Sequence, residues 1–208
     1  PLFSLFSAEV RQIIFAHALV EYDDLSRPYN KHESYYSADF KFAGKITLDL
    51  LLTCRQIYLE ARLFPILVND HIFWQGGAPL GLYVANSAAY FARMSSEQRA
   101  LVRRAHFIAD LAWLRRQADS VVWPAGIALR KLKISVRHHG WEYRWDNDWY
   151  EEGGGTLYIR NLAKCWGGWI KNTPSLQVLE VELESERGQQ LVAQASKARR
   201  WRFPLADG

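Results

Sequence analysis

Histidine and acidic side chains, which can bind a metal ion, lie close together in the segment 138–155. His138 and His139 are followed by Glu142, Asp146 and Asp148. A zinc site needs three or four ligands that converge in a fixed geometry, and this segment has neither an H-x-x-x-H nor a C-x-x-C spacing. We therefore predict a solvated loop without a metal site.

No other segment carries a motif for catalysis or for a cofactor. The glycine run 153–155 lacks the Lys-Ser/Thr that follows a phosphate-binding loop. A nucleophilic cysteine needs an exposed thiolate near a base, whereas Cys54 falls among apolar residues at helical spacing and is expected to be buried. Cys165 receives the same interpretation. We assign no cofactor and do not predict an enzyme.

Two cysteines are too few for a disulfide framework, and we expect both to be reduced. Reduced cysteines favour an intracellular protein, either cytoplasmic or nuclear. No apolar run approaches the roughly 20 residues that a membrane-spanning helix needs, so we expect no membrane association. The chain begins at Pro1 without a methionine, and we expect it to be part of a longer protein.

Aromatic and basic side chains are also concentrated near the segment 138–155, where they could anchor a protein or peptide ligand. Acids between them argue against a polyanionic ligand. The alternative is that the rings cover the face of a sheet. The candidate binding residues are Arg137, Trp141, Tyr143, Arg144, Trp145 and Trp149.

A second group of cations leaves a different function open, the binding of nucleic acid or another anionic ligand. Its members are Arg103, Arg104, Arg130, Lys131, Lys133 and the run 197–202. The net charge of +4 and the pI of about 9.1 permit such a ligand without requiring it. The first hypothesis is a non-catalytic protein-interaction module, and the anionic-ligand binder is the alternative.

The N-terminal elements that would position these groups begin with a helix over Ser7–Glu21, capped by Ser7. Its predicted buried residues are Val10, Ile13, Ile14 and Ala18. The residues 22–45 show no sustained period and are predicted to form a long ordered loop.

A second helix is predicted to run from Thr47 until Pro65 ends it. Its apolar stripe comprises Leu50, Leu51, Cys54, Ile57, Tyr58, Ala61 and Phe64. Structural roles are assigned on this helix to Arg55, Tyr58 and Glu60, including a charged network with Glu9 and Arg11 of the first helix. A short strand is predicted over His71–Trp74.

Three similar frames follow, each a turn that enters a strand of alternating apolar residues. They start at Val102, Leu129 and Leu176 and share the pattern L-x-x-L-x-L-x-L in conservative form. Helical stretches predicted at 111–118 and 157–172 separate them, and another is predicted at 186–200. This alternation favours an α/β fold with a mostly parallel, irregular, repeat-like sheet, with α+β as the other possibility.

The stretches LFSAEVRQIIFAHAL and TCRQIYLEA, with Asn69 and Phe73-Trp74 after them, resemble a group of uncharacterised ascomycete fungal proteins. That family's pattern is L-P-x-E-I-R-x-x-I-Y, then T-C-R-x-I-Y-x-E-A, then N-x-F-x-F, and its N-terminal half is described as F-box-like. The resemblance extends to Arg27-Pro28-Tyr29, Tyr35-Tyr36 and Trp201-Arg202-Phe203-Pro204.

This resemblance implies two parts, a helical F-box-like module over 1–75 and an α/β region over 76–208. By analogy with F-box proteins, the first helices would dock a Skp1-like adaptor, and the remainder would receive a protein substrate. The resemblance implies no catalytic activity.

Overall fold

The structure, a computed structural model, describes residues 5–33, 35–36, 40–75, 87–110, 113, 123–137, 173 and 175–183. The elements in chain order are α1 (Ala8–Ala18), β1 (Tyr22–Pro28), β2 (Phe42–Lys45), α2 (Arg55–Ala61), α3 (Phe64–Val68), β3 (His71–Gln75), α4 (Ser87–Ala92), α5 (Ser96–Leu101), β4 (Arg104–Asp110), β5 (Lys131–Arg137) and β6 (Val178–Leu183). This mixture of helices and strands confirms the predicted α/β class.

The chain divides into two compact units, Pro1–His71 and Ile72–Gly208. This division falls inside β3, and the predicted boundary at residue 75 lies at the end of the same strand. The predicted helices at 111–118, 157–172 and 186–200 lie outside the described residues, apart from Trp113.

The core of the N-terminal unit is a small apolar cluster between α1 and α2. Its buried members are Phe15, Leu19, Ile57 and Ala61, with Leu50, Leu51 and Phe64 packed against them. The rings of Phe15 and Phe64 meet edge to face with 5.8 Å between their centroids. This geometry is favourable for aromatic pairs because the ring edge is positive and the face negative.

The prediction of which residues of α1 are buried is wrong. Phe15 and Leu19 are buried, whereas Val10, Ile13 and Ala18 are exposed and Ile14 is half-buried. The helix has apolar residues on two faces, and periodicity alone could not show which face meets the core. The predicted cap is confirmed, because the Ser7 Oγ accepts a hydrogen bond from Val10 N at 3.4 Å.

The long loop predicted over residues 22–45 is also wrong, because β1 and β2 form an antiparallel pair there. Tyr22 pairs with Lys45, and the register is interrupted between Asp24 and Pro28. Nearly all residues of β1 are exposed, and Asp24 is half-buried. A strand such as β1 that is exposed on both faces needs no apolar alternation, so the usual sequence signal of a strand is absent from it. In β2 the buried residue is Ala43.

The predicted second helix is divided into three pieces. A 3-10 turn over Asp49–Leu52 ends where the Thr53 hydroxyl donates to Leu50 O at 2.8 Å, and Cys54 is extended before α2 begins. Pro65 does not end a helix but lies in the first turn of α3, where its missing N–H costs nothing. The divided backbone turns Cys54 and Tyr58 outward, so their predicted burial is wrong.

Within the described residues, β3, β4, β5 and β6 form one sheet in that order, and β4, β5 and β6 run parallel. The three predicted frames lie in register across it. Ala105 aligns with Leu132 and Leu179, and Phe107 aligns with Ile134 and Val181. The predicted repeat-like layer of strands is therefore confirmed.

Each frame also enters its strand in the same way. Arg103 O accepts hydrogen bonds from Arg130 N at 2.8 Å and Lys131 N at 3.0 Å. One strand further on, Arg130 O accepts from Gln177 N at 2.8 Å and Val178 N at 2.9 Å. The first apolar residues of the frames, Val102, Leu129 and Leu176, are buried beside these turns.

The short helix α4 packs against the apolar face of this sheet through aromatic rings. The Phe73 ring of β3 contacts Phe91 of α4 and stacks on Phe107 of β4, with centroid distances of 5.3 Å and 5.0 Å. A capping box begins α5, with Ser95 Oγ accepting from Gln98 N and Gln98 Oε1 accepting from Ser95 N.

Candidate functional site

An apolar stripe lies on the exposed side of α1. Val10 and Ile13 are three residues apart in α1, so their side chains share one face, and Phe6 precedes the helix. All three are exposed, Ile13 by 59%. We call these three residues the α1 stripe. Its position opposite the buried Phe15 means that folding of the N-terminal unit leaves it in contact with water.

An ion pair joins α1, the helix that carries the stripe, to α2. Arg11 Nε donates to Glu60 Oε2 at 2.8 Å, and another guanidinium nitrogen of Arg11 donates to Phe6 O at 2.7 Å. Gln56 donates to the same carboxylate at 3.0 Å. The hydrogen bond from Gln56 and the pairing with Arg11 lower the pKa of Glu60. The network orients Phe6 and α1 more than it stabilises the fold, because water screens the attraction between exposed charges.

The predicted charged network used Arg55 and Glu60 of the second helix together with Glu9 and Arg11 of the first. Glu60 contacts Arg11 of α1, whereas Arg55 is an exposed residue at the start of α2. Tyr58 is 48% exposed. The charged contact between α1 and α2 is thus made by the Arg11 and Glu60 side chains.

Asn69, one of the residues in the resemblance, is a hydrogen-bonding centre of this unit. Its Oδ1 accepts from Glu21 N at 2.6 Å, and its Nδ2 donates to Leu19 O and Pro65 O, both at 2.9 Å. The residue is buried. It therefore joins the end of α1, the approach to β1 and the start of α3.

Acidic side chains gather near the same point. The Glu21 carboxylate lies against Gly44 of β2, where an added Cβ would overlap it. Loss of hydration, together with the charges of Asp70 and Asp23, raises the pKa of Glu21. Within the described parts of the chain, however, no group of three or more His, Cys, Asp or Glu residues could hold a metal ion.

The second unit carries a charged row on one face of its sheet. Lys131 Nζ lies 2.7 Å from Glu180 Oε2, and Lys133 Nζ lies 3.2 Å from Glu182 Oε2 and 3.9 Å from Glu180 Oε1. The hydrogen bond from Lys131, with the positive charges of both lysines, lowers the pKa of Glu180. Two of the cations considered for an anionic ligand are thus already paired with carboxylates.

A buried polar chain lies beside this row. His106 Nε2 is 2.8 Å from Ser135 Oγ, and that hydroxyl donates to Glu182 Oε2 at 2.6 Å. The order differs from a hydrolytic triad, in which histidine lies between the serine and the acid. Ser135 is only 3% exposed. These hydrogen bonds therefore satisfy buried polar groups across three strands and do not present a nucleophile.

The sequence interpretation missed this chain, although a signal for it existed. Apolar positions define the three frames, and the signal for the polar chain lies in the residues between those positions. Because a strand alternates its side chains between two faces, His106, Ser135 and Glu182 must share the other face once the frames are in register. The register places Ser135 directly opposite Glu182, whereas His106 is aligned with Lys133 and reaches Ser135 diagonally.

Most of the aromatic and basic residues predicted to bind a partner lie outside the described part of the chain. Arg137 ends β5, with its backbone paired to Asp110, but its side chain is not described. The other predicted binding residues lie outside the described residues, as do three residues considered for a metal site or a nucleophile. They are Trp141, Tyr143, Arg144, Trp145 and Trp149, and then His138, His139 and Cys165.

In comparisons with protein-family models, curated proteins and solved structures, the chain matches none of them. Among the described residues, no helix is both long enough and apolar enough to cross a membrane.

Proposed function

We propose that this chain is a non-catalytic protein-interaction module whose N-terminal unit docks a partner protein through α1. The observation that carries the proposal is the exposed α1 stripe. Among the described residues, every exposed large apolar side chain except Val178 belongs to the N-terminal unit. Exposed apolar groups that lie together on one element are typical of interaction surfaces, because burying them in a complex removes them from water.

The stripe is also held in place before any partner arrives. Arg11 ties both Phe6 and Glu60 to the helix that carries Val10 and Ile13. A surface that is already ordered loses less conformational entropy on binding than a mobile one. This preorganisation supports a docking role for α1 over a role as a chance exposed helix.

The finer proposal is an F-box-like substrate receptor of an ascomycete fungus, acting inside the cell in the cytoplasm or nucleus. It rests on the resemblance of the two helical segments, which include α1 and α2. In that proposal a Skp1-like adaptor covers the α1 stripe, and the sheet unit receives the protein to be modified.

The test is a calorimetric titration of the intact chain with a purified fungal Skp1-like adaptor, which measures the binding affinity. Val10→Asp and Ile13→Asp should each weaken binding about tenfold or more, because each would bury a carboxylate without a partner. Leu25→Asp is the matched control, since Leu25 is 73% exposed and lies on β1, a different element from α1. Equal affinity of all three variants would contradict the docking role, and no binding by the unmodified chain would contradict the adaptor proposal.

The alternative function, binding of nucleic acid or another anionic ligand, has less support from the described cations. Lys131 and Lys133 are paired with Glu180 and Glu182, and Arg103 donates to Ala128 O at 3.2 Å. A phosphate would have to compete with these carboxylates, and phosphate affinity depends on cations that can replace counterions.

A further inference from the structure

The strand β6 is the last strand of the sheet within the part of the chain that the structure describes. Val178, at its start, is 50% exposed, while Leu179 and Val181 are half-buried. Strands at the end of a sheet present backbone N–H and C=O groups that can pair with another strand. The accessible residues of β6 make it the end of the sheet at which such pairing should be sought.

The direction of these backbone groups follows from one observed hydrogen bond. Val178 N donates to Arg130 O of the neighbouring frame, so the backbone groups of Val178 point toward β5. Successive residues of a strand direct these groups to alternate sides. Leu179 and Val181 therefore direct their N–H and C=O groups away from β5, toward the position that a further strand would occupy.

The side chains of β6 specify what such a strand should carry. On one face, β5 contributes Lys131 and Lys133, and β6 contributes Glu180 and Glu182. The outermost charged row is thus acidic, and Glu180 keeps 45% of its side chain exposed. On the other face, Leu179 and Val181 continue the apolar rows of Leu132 and Ile134.

We propose that the outer side of β6 binds an extended segment of a partner protein in which basic and apolar side chains alternate. The segment continues the sheet, with its basic residues beside Glu180 and Glu182 and its apolar residues beside Leu179 and Val181. Cross-strand pairs of opposite charge stabilise such an arrangement, and like charges destabilise it. This inference rests on the proposed function, because it names the chemistry of the protein received by the sheet unit.

Peptide binding to the intact chain tests the inference by fluorescence anisotropy. The probe is a short labelled peptide of alternating Lys and Val. One comparison peptide has Glu in place of each Lys, and the other keeps the Lys-Val sequence but is methylated on alternate backbone amides. We expect the Lys-Val peptide to bind at least about tenfold more tightly than either comparison peptide, since strand addition needs both the charges and the backbone donors.

Glu180→Lys should weaken binding of the Lys-Val peptide about tenfold, because it replaces an attraction by a repulsion. Glu33→Lys, an exposed acid of the N-terminal unit, is the control with the same change in net charge. Equal losses in the two variants would overturn the inference. So would equal affinity for the methylated peptide on the unmodified chain, a measurement that does not depend on how any variant folds.

The outcome is distinguishable from that of the adaptor test, which addresses α1 in the other unit. Peptide binding that persists in Val10→Asp, without any adaptor binding by the unmodified chain, would support the β6 inference and contradict only the adaptor proposal. Adaptor binding without binding of the Lys-Val peptide would overturn only the β6 inference.

Discussion

Asn69 shows how a single buried amide can organise several backbone segments. Its two polar atoms serve three backbone groups, at Leu19, Glu21 and Pro65. Those groups come from segments that no periodic pattern connects, because they lie at element ends where the chain changes direction. A sequence pattern marks the turn at Asn69 but not the partners of its side chain, which depend on how α1 and α3 meet.

Replacing Asn69 with alanine should destabilise the chain by about 3 kcal/mol, because three backbone groups lose their side-chain partner. Urea unfolding followed by circular dichroism measures this change. Asn30→Ala is the control, since Asn30 is exposed and its side-chain Oδ1 accepts a local hydrogen bond from His32 N; its effect should stay within about 1 kcal/mol. A loss at Asn69 no larger than that at Asn30 would contradict the assigned role.

Glu21 gives a prediction for the pH dependence of stability. Its pKa is raised in the fold, chiefly by lost hydration and then by Asp70 and Asp23, from an ordinary value of 4.5. The folded chain therefore holds this proton more tightly than the unfolded chain. Stability falls as pH rises from below 4.5 through the raised pKa, and the ionised carboxylate is unfavourable at neutral pH.

Glu21→Gln should consequently stabilise the chain at pH 7 relative to the unmodified protein, with a smaller gain at pH 4. Urea unfolding of both proteins at the two pH values measures the difference, and common effects of other acids cancel in the comparison. Gly44→Ala provides a second test of the raised pKa of Glu21, because the added Cβ pushes the flexible Glu21 carboxylate away from its place beside β2. A gain that does not change with pH would contradict the raised pKa.

Among the elements, those with a regular apolar period were the most predictable. The frames starting at Val102, Leu129 and Leu176 align as neighbouring strands, since each places apolar side chains at the same positions toward one core. The second helix was less predictable. The apolar spacing from Leu50 to Phe64 suits one helix, but the Thr53 hydroxyl ends the first turn and Cys54 adopts an extended conformation.

The capping box of α5 is an element whose stability can be tested by one substitution. Ser95→Ala removes the hydroxyl that accepts from Gln98 N and should cost about 1 kcal/mol. Ser26→Ala on the exposed β1 is a suitable comparison, because its hydroxyl donates only to the neighbouring Asp24. Thermal unfolding of the two variants measures the difference. Equal midpoints would show that the cap contributes nothing to the stability of the chain.

At the scale of the whole molecule, the α/β class and the parallel strands could be predicted, because they follow from the alternation of two periods along the chain. The exposed side of α1 and the ribbon of β1 and β2 could not. Val10 and Ile13 are as apolar as core residues, and only the packing of Phe15 and Leu19 on Ile57 and Ala61 decides which side faces water. The α1 stripe is thus exposed because the core forms on the opposite side of α1.

The order of the sheet also has a consequence for the rate at which the chain folds. His106 and Ser135 are separated by 29 positions, and Ser135 and Glu182 by 47, yet all three meet in one polar chain. Bringing such distant segments together loses loop entropy before any contact compensates for it, so sheets of this kind form slowly. The ribbon of β1 and β2 closes a much shorter segment. We therefore expect newly made chains to order their N-terminal unit first, while the parallel strands are still unassembled.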